Sequence, residues 1–346
     1  MRILYLVLLF SLAIGNAAAQ LSPNSTLEQL LRQAFHANLN AERVVLNHIG
    51  VEAVEVSNVY LGTAVLENYP AHAVDIRRGD IIEMADGNPF HPIESFNSER
   101  DTNGNFLPKR EEHILVLSRA NDSMELSVIP VFENLYNSYR SATANSVLQF
   151  SAGNKTIGYI RFWALSRATA DIINYRALLR ELSGTDGIIF DFRNSLGFLD
   201  PQHLDLVFPT RDNYFTSSLE NNSYTQFAEN STASETSPYR KPIAVLLTRD
   251  TRGGTELFAY QLKKLQRVIT LGEATRGEIG EYLFEDLSNG EEFYIDGQPF
   301  RDSAIIPEQL IPFPYENTER GDKKFYAAIN APVSYKHLTL PTKAYV

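Results

Sequence analysis

The chain contains no cysteine and one tryptophan among its 346 residues. Without thiols it has no disulfide, no thiolate nucleophile and no thiolate zinc site, so its stability must come from packed cores. Positive charge is also in deficit. Thirty-one Lys and Arg stand against 42 Asp and Glu, for a net charge of −11. No basic stripe is visible, which argues against a nucleic-acid groove, because binding phosphate requires clustered cations. Three catalytic signatures are missing: a Gly-x-Ser-x-Gly elbow, a phosphate-cradling loop ending in Gly-Lys, and a His-Glu-x-x-His helix. The acidic neighbours Asp80, Glu83 and Asp86 fit a solvated turn better than a calcium loop. No metal and no cofactor is expected.

Long apolar runs are absent after the first residues. There, Arg2 precedes an apolar run from Ile3 to Ile14, and small residues follow to Ala17-Ala18-Ala19. That is the composition of a cleavable signal peptide over 1–19, and the run is shorter than the roughly 20 residues a spanning helix needs. The sequence therefore predicts export, periplasmic or secreted, with no stable membrane insertion after cleavage. The remainder is long enough for about two domains, and 44% hydrophobic residues is ordinary for globular cores.

Two rhythms follow. A helical segment is expected within 22–48, with Ser25-Thr26-Leu27-Glu28 as a capping box and Leu27, Leu30, Leu31 and Ala34 on one face. Val51 to Leu66, His113 to Leu117 and Met124 to Val131 read as strands, with a turn at Asp86-Gly87-Asn88-Pro89 and a surface loop from Ser98 to Glu111. These make a β-rich module over 49–140. From 150 to 333 strands and helices alternate. Ile157–Phe162, Ile188–Phe192, Ile243–Thr248 and Val268–Leu271 read as strands. Thr169–Leu182 and Glu256–Gln266 read as helices, and Thr216–Ser237 as a long polar loop. Such alternation implies a right-handed α/β core with a buried parallel sheet. Residues 334–346 find no place in either module.

The run Ala73 to Ile82 followed by Asp86-Gly87 resembles a PDZ domain, a module that adds a peptide strand to a sheet edge and holds its terminal carboxylate on backbone amides. Tyr60-Leu61-Gly62-Thr63 is the candidate carboxylate loop. In the second module Ile157-Gly158-Tyr159-Ile160 comes first, and Gly187 to Gly197 follows, containing Asp191-Phe192-Arg193-Asn194. Val245 to Glu256 and then Gly272 to Gly277 complete the order. After a PDZ-like module, this resembles the C-terminal processing, or tail-specific, serine peptidase family. The resemblance runs from about Val51 to Val333, and it implies a crotonase-like α/β peptidase domain acting on peptides or unstructured protein segments.

The departures from that pattern bear on activity. Members place a nucleophilic serine three residues before the acidic residue of the helix, and that position here is Gly253, ahead of Glu256. Many use a lysine base in a Thr-x-Gly-Lys segment, and here Thr275-Arg276-Gly277 leads to Glu278. The oxyanion turn, Asn-x-Pro-Gly-Gly in the family, reads Asn194-Ser195-Leu196-Gly197-Phe198, with Gly197 and Gly254 as the candidate backbone donors and Phe198 a candidate to fill part of the site. Glycine has no side chain to attack a carbonyl.

Thr251 and Thr255, two residues to either side, are the hydroxyls that could substitute for it, or else a cap and a first-turn residue of the helix. His203, near Asp200, reads as a surface helix residue in preference to a base. Three functions stay open: a non-cleaving binder of peptides or protein C-termini, a peptidase with a relocated nucleophile, and a carrier of a small apolar ligand, the last because a non-proteolytic branch of this fold is associated with retinoid binding.

Overall fold

The computed structural model describes residues 26–35, 43–120, 122–209, 215–218, 223–226, 238–278, 281–287, 290–296, 304–313, 327–328 and 331. The expected signal peptide, the unplaced tail and much of the polar 216–237 stretch lie outside them.

Helix α1 (Leu27–Ala34) opens the described chain. Thr26 is its N-cap and Gln29 closes the capping box, one residue later than the expected Ser25 and Glu28 pairing. Because Gln29 does the capping, the Glu28 side chain is left to make contacts elsewhere. Leu30, Leu31 and Ala34 form the buried face.

Next come β1 (Val45–His48), β2 (Val51–Val56), β3 (Val59–Val65), the short helix α2 (Pro70–Ala73), β4 (Ile81–Ala85), β5 (Asn88–Pro89), β6 (His113–Arg119), β7 (Asp122–Val128) and β8 (Val131–Asn134). Five of them form an antiparallel sheet in the order β2-β3-β4-β6-β7, with β5 paired to β4. Ile76, Ile82, Phe96, Leu115 and Leu117 fill its core. Strand β2 stands at the end of this sheet.

Helix α3 (Leu135–Asn145) follows, capped by Asn134, and the sequence reading does not anticipate it. It leads into β9 (Leu148–Ala152), β10 (Lys155–Arg161), β11 (Ala164–Leu165), α4 (Thr169–Glu181), β12 (Gly187–Asp191), β13 (Leu196–Gly197) and α5 (Pro201–Leu204). The short strands β14 (Phe215–Ser218) and β15 (Ser223–Gln226) pair as an antiparallel hairpin where a loop was expected. The chain continues through β16 (Ile243–Leu247), α6 (Gly253–Leu262), β17 (Val268–Gly272), β18 (Glu281–Leu287), β19 (Gly290–Asp296) and β20 (Gln309–Leu310).

The second sheet runs β20-β17-β16-β12-β10-β9, parallel except for β9. Every residue of β12 and β16 is buried, which is why Ile188–Phe190 and Ile243–Leu247 read as apolar runs. Helices α4 and α6 cover one face, through Tyr175, Leu178, Leu257 and Phe258 against Ile188, Phe190 and Val245. Ala328 packs on the other face with Ile189, Ala244 and Leu246.

A third core joins the two modules. Leu30 and Leu31 of α1, Leu46, Tyr139 of α3, Trp163 and Leu196 pack together. Burial of each large side chain there contributes roughly 1.5–3 kcal/mol. Among the described residues no helix is long and apolar enough to cross a membrane.

Candidate active site

Neighbouring parallel strands β12 and β16 end together and deliver Asp191–Ser195 and Thr248–Arg252 side by side. Asp191 anchors the first segment. It is fully buried, takes the Arg193 guanidinium at 2.9 and 2.5 Å and accepts the Tyr159 hydroxyl at 2.8 Å. Burial would raise its pKa, but Arg193 and Arg161 outweigh that and hold it at about 2.

Helix α6 starts at Gly253, whose φ of 63° is left-handed. The Gly253 amide donates to the Glu278 carbonyl at 2.8 Å. The two positions that the family resemblance pairs are therefore adjacent in space, through backbone alone. The Glu278 carboxylate faces Arg32 of α1 at 3.4 Å and Arg276 at 3.7 Å.

Arg252, the N-cap residue of α6, is 1% exposed. It grips Glu28 with two nitrogens, at 2.9 and 2.7 Å, and donates its third to the carbonyls of Asn194 and Asp250. Arg276 adds a further bond to Glu28 at 3.2 Å. Burial pushes the Glu28 pKa up, yet Arg252, Arg276 and Arg32 bring it down to about 2. A carboxylate of α1 thus sits among three arginines, Arg252, Arg276 and Arg32, beside the helix N-terminus, where a negative charge is stabilised. Glu52 of β2 completes the cluster. It accepts the Tyr139 hydroxyl at 2.6 Å, lies 3.4 Å from the Asn194 amide nitrogen, and has its pKa raised by burial against the pull of Arg252. The sequence reading missed Glu28, Glu52 and Arg252. The signal available was an arginine placed directly before a buried helix start.

The candidate hydroxyls are committed elsewhere. Thr251 Oγ1 donates to the Phe192 carbonyl at 2.7 Å and accepts the Thr248 amide, so it ties the two loops together and does not cap α6. Thr255 Oγ1 donates to the Leu196 carbonyl at 2.6 Å and receives the Ser195 hydroxyl at 3.0 Å. Among the described residues no base touches either. His203, expected at the surface, is fully buried: its Nε2 donates to the Ser166 carbonyl at 3.1 Å and its Nδ1 accepts the Asp200 amide. Burial lowers its pKa to about 4, so it is a neutral core residue.

A second histidine, His48, lies 3.0 Å from Ser138 Oγ, but its Nδ1 accepts the Gly50 amide, so Nε2 carries the proton and cannot take one from the serine.

The two candidate oxyanion glycines are packed against each other. A Cβ added to Gly254 would stand 2.5 Å from the Gly197 carbonyl oxygen, well inside contact distance. Phe198, 3% exposed, is buried with the Arg167 guanidinium 4.4 Å from its ring centre, so it belongs to the surrounding packing.

Glu256, on α6, is fully buried. Its Oε1 accepts the Thr275 hydroxyl and the Gly277 amide, the latter at 2.8 Å, and its Oε2 has no partner. Burial raises its pKa to about 7. It fastens α6 to the loop that presents Glu278.

The expected carboxylate loop is a correction. Tyr60-Leu61-Gly62-Thr63 lies inside β3, between β2 and β4. The Gly62 amide donates to the Asp80 carbonyl at 2.8 Å and its carbonyl accepts the Gly79 amide at 2.8 Å, so the glycine of the expected loop is committed to the chain's own backbone.

Residues 156–304 match the family model of Peptidase family S41. A Bacteroides fragilis NCTC 9343 protein described as an S41 protease superposes with a TM-score of 0.52 at 14% identity, covering 82% of each chain, and shares this fold. The photosystem II D1 C-terminal processing protease aligns over 80% of this chain and 75% of its own, at 18% identity and a TM-score of 0.48. No curated protein matches the chain in sequence.

Proposed function

We propose that this chain, whose residues 156–304 belong to Peptidase family S41, holds extended peptide segments and does not cut them. The observation that carries the reading is Gly253: a helix start with no hydroxyl, whose amide is already bonded to the carbonyl of Glu278. The surrounding hydroxyls support it, because Thr251 and Thr255 each donate to a backbone carbonyl and meet no base.

The peptide adds as a strand along β2, the end strand of the first sheet, with its carboxylate end toward the Arg252 and Arg276 cradle that Glu28 now fills. Glu52 couples the two regions, since it belongs to β2 and meets Asn194 of the second module. Export of the chain, on the apolar run from Ile3 to Ile14, would put both surfaces among extracytoplasmic peptides.

The test is fluorescence-anisotropy binding of an extended, carboxylate-ended peptide and its C-terminally amidated twin, alongside digestion of casein over a day. Binding that weakens on amidation, with intact casein, is the expected result. Turnover of casein by the wild-type chain would overturn the reading.

A further inference from the structure

We propose that a cavity at the opposite end of the second sheet binds a small, multiply charged oxyanion ligand, one carrying phosphate or clustered carboxylate groups. The cavity, about 520 Å³, lies between the C-terminal half of α4 and the segment that leads into β16. Its size is that of a pocket for a small molecule. Ser183 and Lys241, on its wall, precede β12 and β16, whereas the candidate active site follows those strands. A five-residue strand, about 16 Å long, separates the two sites.

The charge distribution carries the argument. The chain as a whole is strongly acidic, at −11, yet Arg176, Arg180, Arg240 and Lys241 all line this cavity, against the single carboxylate of Asp205. Lys241 is occupied, donating to the carbonyls of Ser183, at 2.8 Å, and Thr185. Arg176 reaches Gln202 at 3.3 Å with one nitrogen, while its buried Nε has no partner.

Arg267 adds a fifth cation behind the wall. It donates to the carbonyls of Tyr239, at 2.7 Å, and Val207, and its buried Nη1 has no partner. Burial lowers its pKa, and the charge of Arg240 lowers it further. The nearby carboxylate of Asp186 lies 3.5 Å from Lys155.

Like charges crowded at a partly apolar surface repel, and an oxyanion converts that repulsion into attraction. Guanidinium groups also match phosphate and carboxylate geometry in a way that a single ammonium does not. Leu179, Leu206 and Tyr239 give the cavity an apolar floor that fits a ligand body larger than a bare ion.

Isothermal titration calorimetry of the full chain with pyrophosphate and, separately, with citrate tests the site, each at about 20 and 200 mM salt, where a charge-driven contact weakens with added salt. The expected result is one saturable site per chain for at least one of the two. Binding to pyrophosphate alone assigns a phosphate ligand, to citrate alone a polycarboxylate, and to both a site that reads charge.

The double substitution Arg180→Ala with Arg240→Ala changes exposed side chains and should lower affinity tenfold or more, while peptide binding at β2 stays as in the wild type. Arg176→Gln, which removes the half-buried cation, should weaken the same binding. Absence of saturation with either anion at low salt overturns the proposal, and so does full-strength binding by both variants.

Discussion

The Gly253 amide donates to the Glu278 carbonyl at 2.8 Å, so the helix start and the loop following β17 meet backbone to backbone. In many members of the family that the sequence resembles, a lysine at the second position serves as the base for a serine at the first. Here the same approach is kept and carries no chemistry: glycine offers no oxygen, and the Glu278 carboxylate faces Arg32 and Arg276.

Gly253→Ser should therefore give no hydrolysis of casein, because the neighbouring Glu278 carboxylate, paired with Arg32 and Arg276, is a weak base for the new hydroxyl. The left-handed φ of 63° also makes serine strained there, at a cost of about 1 kcal/mol, seen as a small drop in melting temperature. Adding Glu278→Lys to this variant supplies the missing base and should yield measurable cleavage. Equal cleavage by the single and double variants would show that the base comes from another residue.

Glu28→Gln removes the counter-charge of Arg252, which is 1% exposed. Stripping one partner from a buried ion pair is costly, and partial exposure of Glu28 reduces the loss to about 1–3 kcal/mol, measurable by urea denaturation at pH 7. Because the Glu28 pKa falls from 4.5 to about 2 on folding, its contribution is present above pH 4.5 and disappears as the pH drops through about 2. The wild-type and variant stabilities should converge across that interval.

Glu256 behaves in the opposite sense. Its pKa rises from 4.5 to about 7, so its contribution is fully present below pH 4.5 and is lost as the pH climbs through about 7. The shift corresponds to roughly 3 kcal/mol or slightly more. Glu256→Gln keeps an acceptor for Thr275 and Gly277 and cannot ionise, so thermal unfolding between pH 5 and 8 should show a flatter profile than the wild type. A parallel pair of profiles would mean that Glu256 stays charged in the folded chain.

His203→Ala should leave peptide binding unchanged, since the ring bonds only to Ser166 and Asp200. Stability should fall by about 2–4 kcal/mol, from the void and the lost bonds. The wild type itself should weaken as the pH falls from 6.5 through about 4, because the buried ring must then take up a proton. The variant should not share that acid sensitivity, and comparing urea midpoints at pH 7 and 5 checks this.

The buried strands were plain in the sequence because β12 and β16 carry the unbroken apolar runs Ile188–Phe190 and Ile243–Leu247, and the helix face of α1 because its leucines recur at helical spacing. The Gly253 and Glu278 register was legible by counting. What escaped depended on long-range pairing. Tyr60–Thr63 looks like a glycine-containing loop until β4 is placed beside it. Arg252 and Glu28 lie 224 residues apart, so nothing local links them. His203 looks polar and exposed, yet Ser166, which meets it, arrives from the segment between β11 and α4. Helix α3 hid because its sequence is mostly polar and its buried face mixes Tyr136, Tyr139 and Ala142 with Ser138 and Thr143.

The contact between Gly254 and Gly197 has a consequence for what this fold can become. Because a methyl group at Gly254 would collide with the Gly197 carbonyl, the crossing of the two loops tolerates no side chain there. Side chains at Gly253 and Glu278 can be exchanged, while the crossing of the two loops remains set by main chain alone. Such a scaffold is a ready host: hydrolytic function could be gained or silenced in few steps, with the architecture untouched by either change.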